Sequence, residues 1–276
     1  KTTPSDDLPP ISEKMVKGFC WYAPRFVGKS FSAVRRLGPV PEGAGDADGR
    51  PMLVYCNHPS WWDPMVIALL NHGPFRGRTH YGPIDEAGLA KYRFLERMGF
   101  FGIDPESRAG AAKFLRLGRA VLSRPGGTLW VTAEGHFTDP RKRPVRLRPG
   151  VAHLARKVSG GVAVPLAIEY PFGMEKLPEM RFAFGEPVET GDTSRGVEPW
   201  NADLEARLET TMDRLASATV AGDTSAFETV QEGKVGVNPV YDLWRRGRAL
   251  LGGKRFDASH GAGLQRGGRN FRGGHA

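Results

Sequence analysis

The chain is poor in cysteine. Among its 276 residues only Cys20 and Cys56 occur, without CxxC spacing. That excludes a disulfide scaffold and a four-cysteine zinc site, and a reducing compartment is the expectation that follows. No cluster of His, Cys and carboxylate residues has metal-ligand spacing, so we expect neither a metal nor a resident cofactor. No apolar run reaches the roughly 18 residues that a membrane-spanning helix needs, and no signal-peptide pattern opens the sequence. Neither absence bears against a protein that lies on a membrane surface. Acidic residues are in deficit, 30 against 39 Lys plus Arg, for a formal net charge of +9. Such an excess points to an anionic partner: nucleic acid, a phosphorylated or CoA-like ligand, or an anionic bilayer. Charge alone does not choose among them. Hydrophobic residues make up 40 % of the chain, enough for the core of one sizeable domain.

What is present reads as alternation. Short apolar runs predict strands at residues 52–56, 80–84, 100–103, 128–132, 162–168 and 180–184. Helical periodicity falls between and after them, at 65–70, 89–98, 109–122, 150–158 and 201–216. This is the pattern of an α/β domain with a mostly parallel or mixed sheet flanked by helices. Residues 1–12 read as a loose, Pro-rich arm. Residues 13–37 read as an amphipathic helical segment interrupted at Pro24. There Phe19, Trp21, Tyr22, Phe26 and Phe31 are interleaved with Lys14, Lys17, Arg25, Lys29, Arg35 and Arg36, against one acid, Glu13. That mixture fits a helix at a membrane interface and equally a helix packed on the core. The α/β domain is expected over 38–235, a second basic amphipathic helix over 236–252, and a disordered Gly/Arg-rich tail over 253–276.

The first predicted strand runs into Asn57-His58-Pro59-Ser60-Trp61-Trp62-Asp63-Pro64. In one helix, residues five apart sit about 140° from each other, so His58 and Asp63 cannot meet there. They meet if His58 lies in the loop after the strand and Asp63 in the first helical turn. Ser60 fits as the N-cap with Asp63 three residues on, and Pro64 is tolerated near a helix start. The plain reading is a turn histidine and a capping aspartate. The chemical reading is a base and its orienter: a carboxylate holding one imidazole nitrogen fixes the tautomer and leaves the other free to take a proton. Ser60 is a further candidate nucleophile, although no Gly-x-Ser-x-Gly elbow surrounds it.

Four blocks then carry a resemblance. Asn57-His58, four residues and Asp63 resemble the Asn-His-x4-Asp motif of glycerolipid and lysophospholipid acyltransferases of the 1-acylglycerol-phosphate acyltransferase type. Phe101-Gly102-Ile103-Asp104 with Arg108 resembles the second block of that family. Leu129-Trp130-Val131-Thr132-Ala133-Glu134-Gly135 resembles the third, and Val164-Pro165-Leu166-Ala167-Ile168 the fourth. The resemblance covers roughly residues 50–170. It implies His58 as general base, Asp63 as its orienter, and direct attack of an acceptor hydroxyl on a thioester carbonyl. It also implies substrate-side roles for Asn57, Arg108, Glu134, Gly135 and Pro165.

One block departs. The family usually follows Glu-Gly with Thr-Arg, whose arginine is associated with an acceptor phosphate; here His136-Phe137 stands instead. Three explanations stay open. Arg141, Lys142 or Arg143 substitutes; the acceptor lacks that phosphate, as a lyso-amino-acid lipid or glycolipid would; or another lysolipid is preferred. His136 is a candidate hydrogen-bond partner for the acceptor. The expected partners are acyl-CoA or acyl-carrier protein as donor, a lysolipid acceptor, and peripheral contact with an anionic membrane on its cytoplasmic face. Two alternatives remain: a lipid or thioester hydrolase on the same fold, and a nucleic-acid-binding protein. The second rests only on the tail's composition, with no RNA-binding motif, so nucleic acid is not the expected partner.

Overall fold

β2 (Met52–Cys56) shows where the core lies. All five of its residues are buried, and they alternate between two faces, as side chains on a strand must. Leu53 and Tyr55 enter one apolar cluster; Met52, Val54 and Cys56 enter another. A strand buried on both faces belongs mid-sheet, with helices on either side. That is the arrangement in the computed structural model, which describes residues 7–234.

The sheet has nine strands. They are β1 (Ala33–Leu37), β2, β3 (Thr79–Asp85), β4 (Phe100–Ile103), β5 (Gly127–Thr132), β6 (Val162–Glu169), β7 (Glu179–Phe184), β8 (Val188–Glu189) and β9 (Phe227–Glu232). Their order is β4-β3-β5-β2-β6-β7-β1-β9, with β8 beside β6. Strands β2 to β6 run parallel; β7 and β9 join through antiparallel pairings to β6 and β1. Helices α1 (Glu13–Ser30) and α2 (Asp63–His72) pack on the Met52/Val54 face. α3 (Glu86–Lys91) lies by β4, and α4 (Arg108–Leu122), α5 (Gly150–Lys157) and α6 (Val197–Ala221) pack on the Leu53/Tyr55 face. The α/β class and the central strands are as the sequence predicts.

Three expectations change. Residues 7–12 are not loose: Leu8 is buried in the core, Ser12 N donates to Arg97 O at 2.7 Å, and Asp7 pairs with Arg116. The helix expected to Leu37 ends at Ser30, and it runs through Pro24 without a break. Residues 33–37 form β1 instead, so the α/β domain begins before residue 38. The basic residues that suggested a membrane-facing helix there serve the sheet: Arg35 reaches Glu179 at 3.0 Å and Thr229 at 2.7 Å, and Arg36 pairs with Glu228. These are cross-strand partners, which local periodicity does not reveal. β9 was not expected; it is a polar edge strand in which only Phe227 is buried. Residues 1–6, the helix expected at 236–252 and the tail at 253–276 lie outside the described residues.

His80 in β3 ties pH to stability. One ring nitrogen faces Phe75 O at 3.1 Å, and the other faces the indole N–H of Trp130 at 3.1 Å. Only a neutral imidazole can donate to the carbonyl and accept from the indole at once. Burial pushes the His80 pKa down to about 4; the Phe75 bond opposes this and Arg78 adds to it. The unfolded chain therefore binds this proton first as pH falls. The contribution of His80 is intact above about pH 6.5 and is lost progressively towards pH 4, up to about 3 kcal/mol. In urea melts at pH 7 and pH 4.5, His80→Gln should lose less stability on acidification than wild type; equal losses would contradict this.

Candidate active site

The carboxyl ends of three adjacent parallel strands converge: β5, β2 and β6. In open α/β sheets this edge, where successive connections leave to opposite sides, is where ligands bind. β2 delivers Asn57 and His58, β5 delivers Glu134, and β6 delivers Tyr170. α2 begins at Asp63 and points its first turn at the same place.

His58 and Asp63 meet there. Nδ1 of His58 lies 2.6 Å from Asp63 Oδ2. The Asp63 side chain is 0 % exposed and that of His58 is 19 % exposed. Two further donors hold the carboxylate: Tyr170 OH to Oδ1 at 2.7 Å and Ser60 N to Oδ2 at 3.3 Å. A carboxylate only accepts, so the proton of the short contact sits on Nδ1 and Nε2 is left basic. His58 is fixed from its backbone as well, since its N–H donates to Glu134 Oε2 at 2.9 Å and its carbonyl accepts from Thr138 N at 2.9 Å. Over the imidazole lies Phe137, ring centroids 4.2 Å apart and planes 30° apart.

The surroundings are dry and negative. Burial, reinforced by Asp63, holds the Tyr170 hydroxyl well above its ordinary pKa, so it remains a donor to the carboxylate. Burial, with Asp63 and Glu134, likewise holds the Cys56 thiol well above its ordinary range. That makes Cys56 an inert core residue rather than a nucleophile. The Ser60 hydroxyl accepts from Trp62 N at 3.3 Å and is not bonded to His58. Ser60 does not cap α2 either: the helix starts at Asp63, directly after Trp62. Among the described residues no group of three or more His, Cys, Asp or Glu side chains is placed to hold a metal ion.

A family model described as acyltransferase matches residues 33–169. Residues 33–169 carry the domain of the acyltransferase family. The match runs from β1 to the end of β6 and so contains His58, Asp63, Arg108 and Glu134. Among solved structures, the 1-acyl-sn-glycerophosphate acyltransferase PlsC of Thermotoga maritima shares the fold. The TM-score is 0.51 at 17 % sequence identity, covering 74 % of this chain and 79 % of that one. No curated protein matches the sequence of this acyltransferase.

The other residues singled out in the sequence of this acyltransferase are placed unevenly. Glu134 is buried and bonded to His58, as described. Asn57 is fully buried and its amide is taken up by the backbone: Nδ2 donates to Ile168 O at 2.9 Å, and Oδ1 accepts from Ile168 N at 2.8 Å. It locks the end of β2 to β6, a positioning task in place of the substrate contact expected. Pro165 has a place in the scaffold too. It lies buried inside β6, three residues before Ile168, where the antiparallel pairing with β7 gives way to that with β8. A residue without an N–H is tolerated at such a break in the ladder. Gly135 adopts φ +75°, and a Cβ there would stand 2.5 Å from Arg148 Nε. Glycine is therefore required at this turn. Arg108 and His136 are exposed. Of the proposed cationic substitutes, Arg141 is held by Asp139 at 2.9 and 2.6 Å, and Arg143 by Asp213 at 2.9 Å.

Sequence reasoning missed three neighbours. Tyr170 stands just beyond the fourth block, and only the sheet order brings it to Asp63. Phe137 was noticed for the arginine it displaces, not for the imidazole it covers. Arg148 packs across Gly135 and reaches Pro105 O at 2.9 Å and Glu106, joining the third block to the second. Nothing in its local pattern signals that.

Proposed function

We propose that this acyltransferase moves a fatty acyl group from a thioester donor, acyl-CoA or acyl-carrier protein, to the hydroxyl of a lysolipid. The observation that carries the reading is the 2.6 Å contact between His58 Nδ1 and a fully buried Asp63 at the ligand-binding edge of the sheet. In this reading His58 Nε2 takes the acceptor proton as its oxygen attacks the thioester carbonyl, and the imidazolium gives that proton to the donor sulfur as the C–S bond breaks and the thiol leaves. Asp63 holds the tautomer and stabilises the imidazolium that forms. Tyr170 and Glu134 position the pair, one through Asp63 and one through the backbone of His58. No acyl-enzyme is needed, which agrees with the engagement of Ser60 and the burial of Cys56. The named activity of the Thermotoga maritima protein, 1-acyl-sn-glycerophosphate acylation, gives the acceptor class to try first.

The test is transfer of labelled palmitoyl from CoA to a panel: lysophosphatidic acid, other lysophospholipids, monoacylglycerol, a lyso-amino-acid lipid and a glycolipid. His58→Ala should lower kcat by about 10²–10⁴-fold, the usual worth of general base catalysis, and Asp63→Asn by a similar factor. Tyr170→Phe removes one hydrogen bond and should cost about tenfold or less. Full activity of His58→Ala would overturn the reading. Cleavage of thioester to free acid alone, with every acceptor present, would favour a hydrolase.

We further propose peripheral contact with an anionic membrane through α1. Trp21 and Tyr22 are exposed on it, 61 % and 47 %, among Lys14, Lys17, Arg25 and Lys29. An aromatic series leads from there to the site: Tyr22 to Phe26 at 5.4 Å, Phe26 to Trp62 at 5.2 Å, with Asp63 next in sequence. Among the described residues no helix is long and apolar enough to cross a membrane. A surface contact of this composition should depend on both apolar area and charge. Binding to vesicles containing phosphatidylglycerol should weaken about tenfold in Trp21→Ser/Tyr22→Ser and fall with added salt. Wild-type indifference to anionic vesicles would contradict it.

A further inference from the structure

Phe137 is a large apolar side chain that the fold does not use. It is 61 % exposed, and its ring contact is the imidazole of His58. The contact is held rather than incidental. His58 N donates to the Glu134 carboxylate and Thr138 N donates to His58 O, so the chain is tied to His58 on both sides of Phe137, by a side chain before it and by backbone after it. The ring therefore borders the imidazole that the acceptor hydroxyl has to reach.

The electrostatics beside the ring are unfavourable to an anion. An aromatic face is the negative side of its quadrupole. The His58 that it covers is bonded to the carboxyl groups of Asp63 and Glu134, 0 % and 6 % exposed. The arginines that follow in the chain each have a carboxylate partner: Arg141 has Asp139, Arg143 has Asp213, Arg146 has Glu205 and Arg148 has Glu106. Exposed Lys142 and Arg108 are the other cations of these segments. A phosphate monoester, carrying about −1.5 to −2 charges, would give up water here for a ring face and two carboxylates. A glycerol hydroxyl or a hydrocarbon stem loses little in the same place.

We infer that Phe137 is a specificity-determining residue, and that the acceptor is a lipid alcohol with no phosphate monoester beside the reacting hydroxyl. This rests on the acyl-transfer reading above and narrows its acceptor.

The experiment compares 1-monoacylglycerol with 1-acylglycerol-3-phosphate of the same chain. The two differ only in the phosphate, and both are presented in the same mixed micelles with palmitoyl-CoA. Wild type should favour monoacylglycerol in kcat/KM by about tenfold or more. Phe137→Arg supplies a bidentate phosphate partner and should move that ratio towards the phosphate by about 10–100-fold, chiefly through KM for the phosphate acceptor. Phe137→Leu, still apolar, should keep the wild-type preference. The ring is exposed, so all three proteins are expected to fold alike, which thermal melts check. A wild-type preference for the phosphate acceptor, or an unchanged ratio in Phe137→Arg, overturns the inference. Transfer to no acceptor of the wider panel overturns the acyl-transfer reading itself, a different result from a reversed ratio.

Discussion

A carboxylate with no exposure to water is the constraint that the site is built around. Isolated burial of such a charge is prohibitive unless hydrogen bonds replace its hydration. Asp63 receives three partners, from the imidazole of His58, the hydroxyl of Tyr170 and the backbone of Ser60. Each comes from a different part of the local structure: the loop after β2, the end of β6 and the turn that enters α2. Each of the three offsets part of the cost of burying the carboxylate. Conversely, its presence fixes where each of them must stand.

The sheet makes that coincidence possible. β2 lies between β5 and β6 with all three parallel, so their carboxyl ends open on the same edge. Asn57 fastens the end of β2 to β6 through both faces of one peptide pair, and Ala133 N donates to Cys56 O at 2.9 Å on the other side. The loop holding His58 is thus clamped to both neighbouring strands before any side chain of the pair is considered. As the base of the proposed transfer, a side chain held this firmly loses little orientational freedom when substrate arrives.

The central strands and the His58–Asp63 pair were legible because each is local. β2 announces itself as a short apolar run, and the five-residue spacing works only across a strand-to-helix turn. What the sequence hid is non-local. Arg35 and Arg36 look like the charged face of a helix until Glu179, Thr229 and Glu228 appear across the sheet. β9 has one buried residue and no apolar period. Tyr170 is 107 residues from Asp63 along the chain and 2.7 Å from it in space. Asn57 and Pro165 have scaffold roles that their place in resembling motifs does not announce: one clamps two strands and the other fills a break in a ladder. Motif membership locates a residue near a site without saying whether it faces the ligand or the scaffold.

The central claim is that Asp63 sets His58 as an Nδ1–H tautomer with a bare Nε2 facing the substrate. Nitrogen NMR of ¹⁵N-histidine-labelled protein, recorded where the ring is neutral, measures this directly. The account predicts a protonated Nδ1 and an unprotonated Nε2 for His58, with that preference lost in Asp63→Ala. A dominant Nε2–H tautomer in the wild-type protein would contradict it, because the nitrogen offered to the acceptor hydroxyl would already carry a proton.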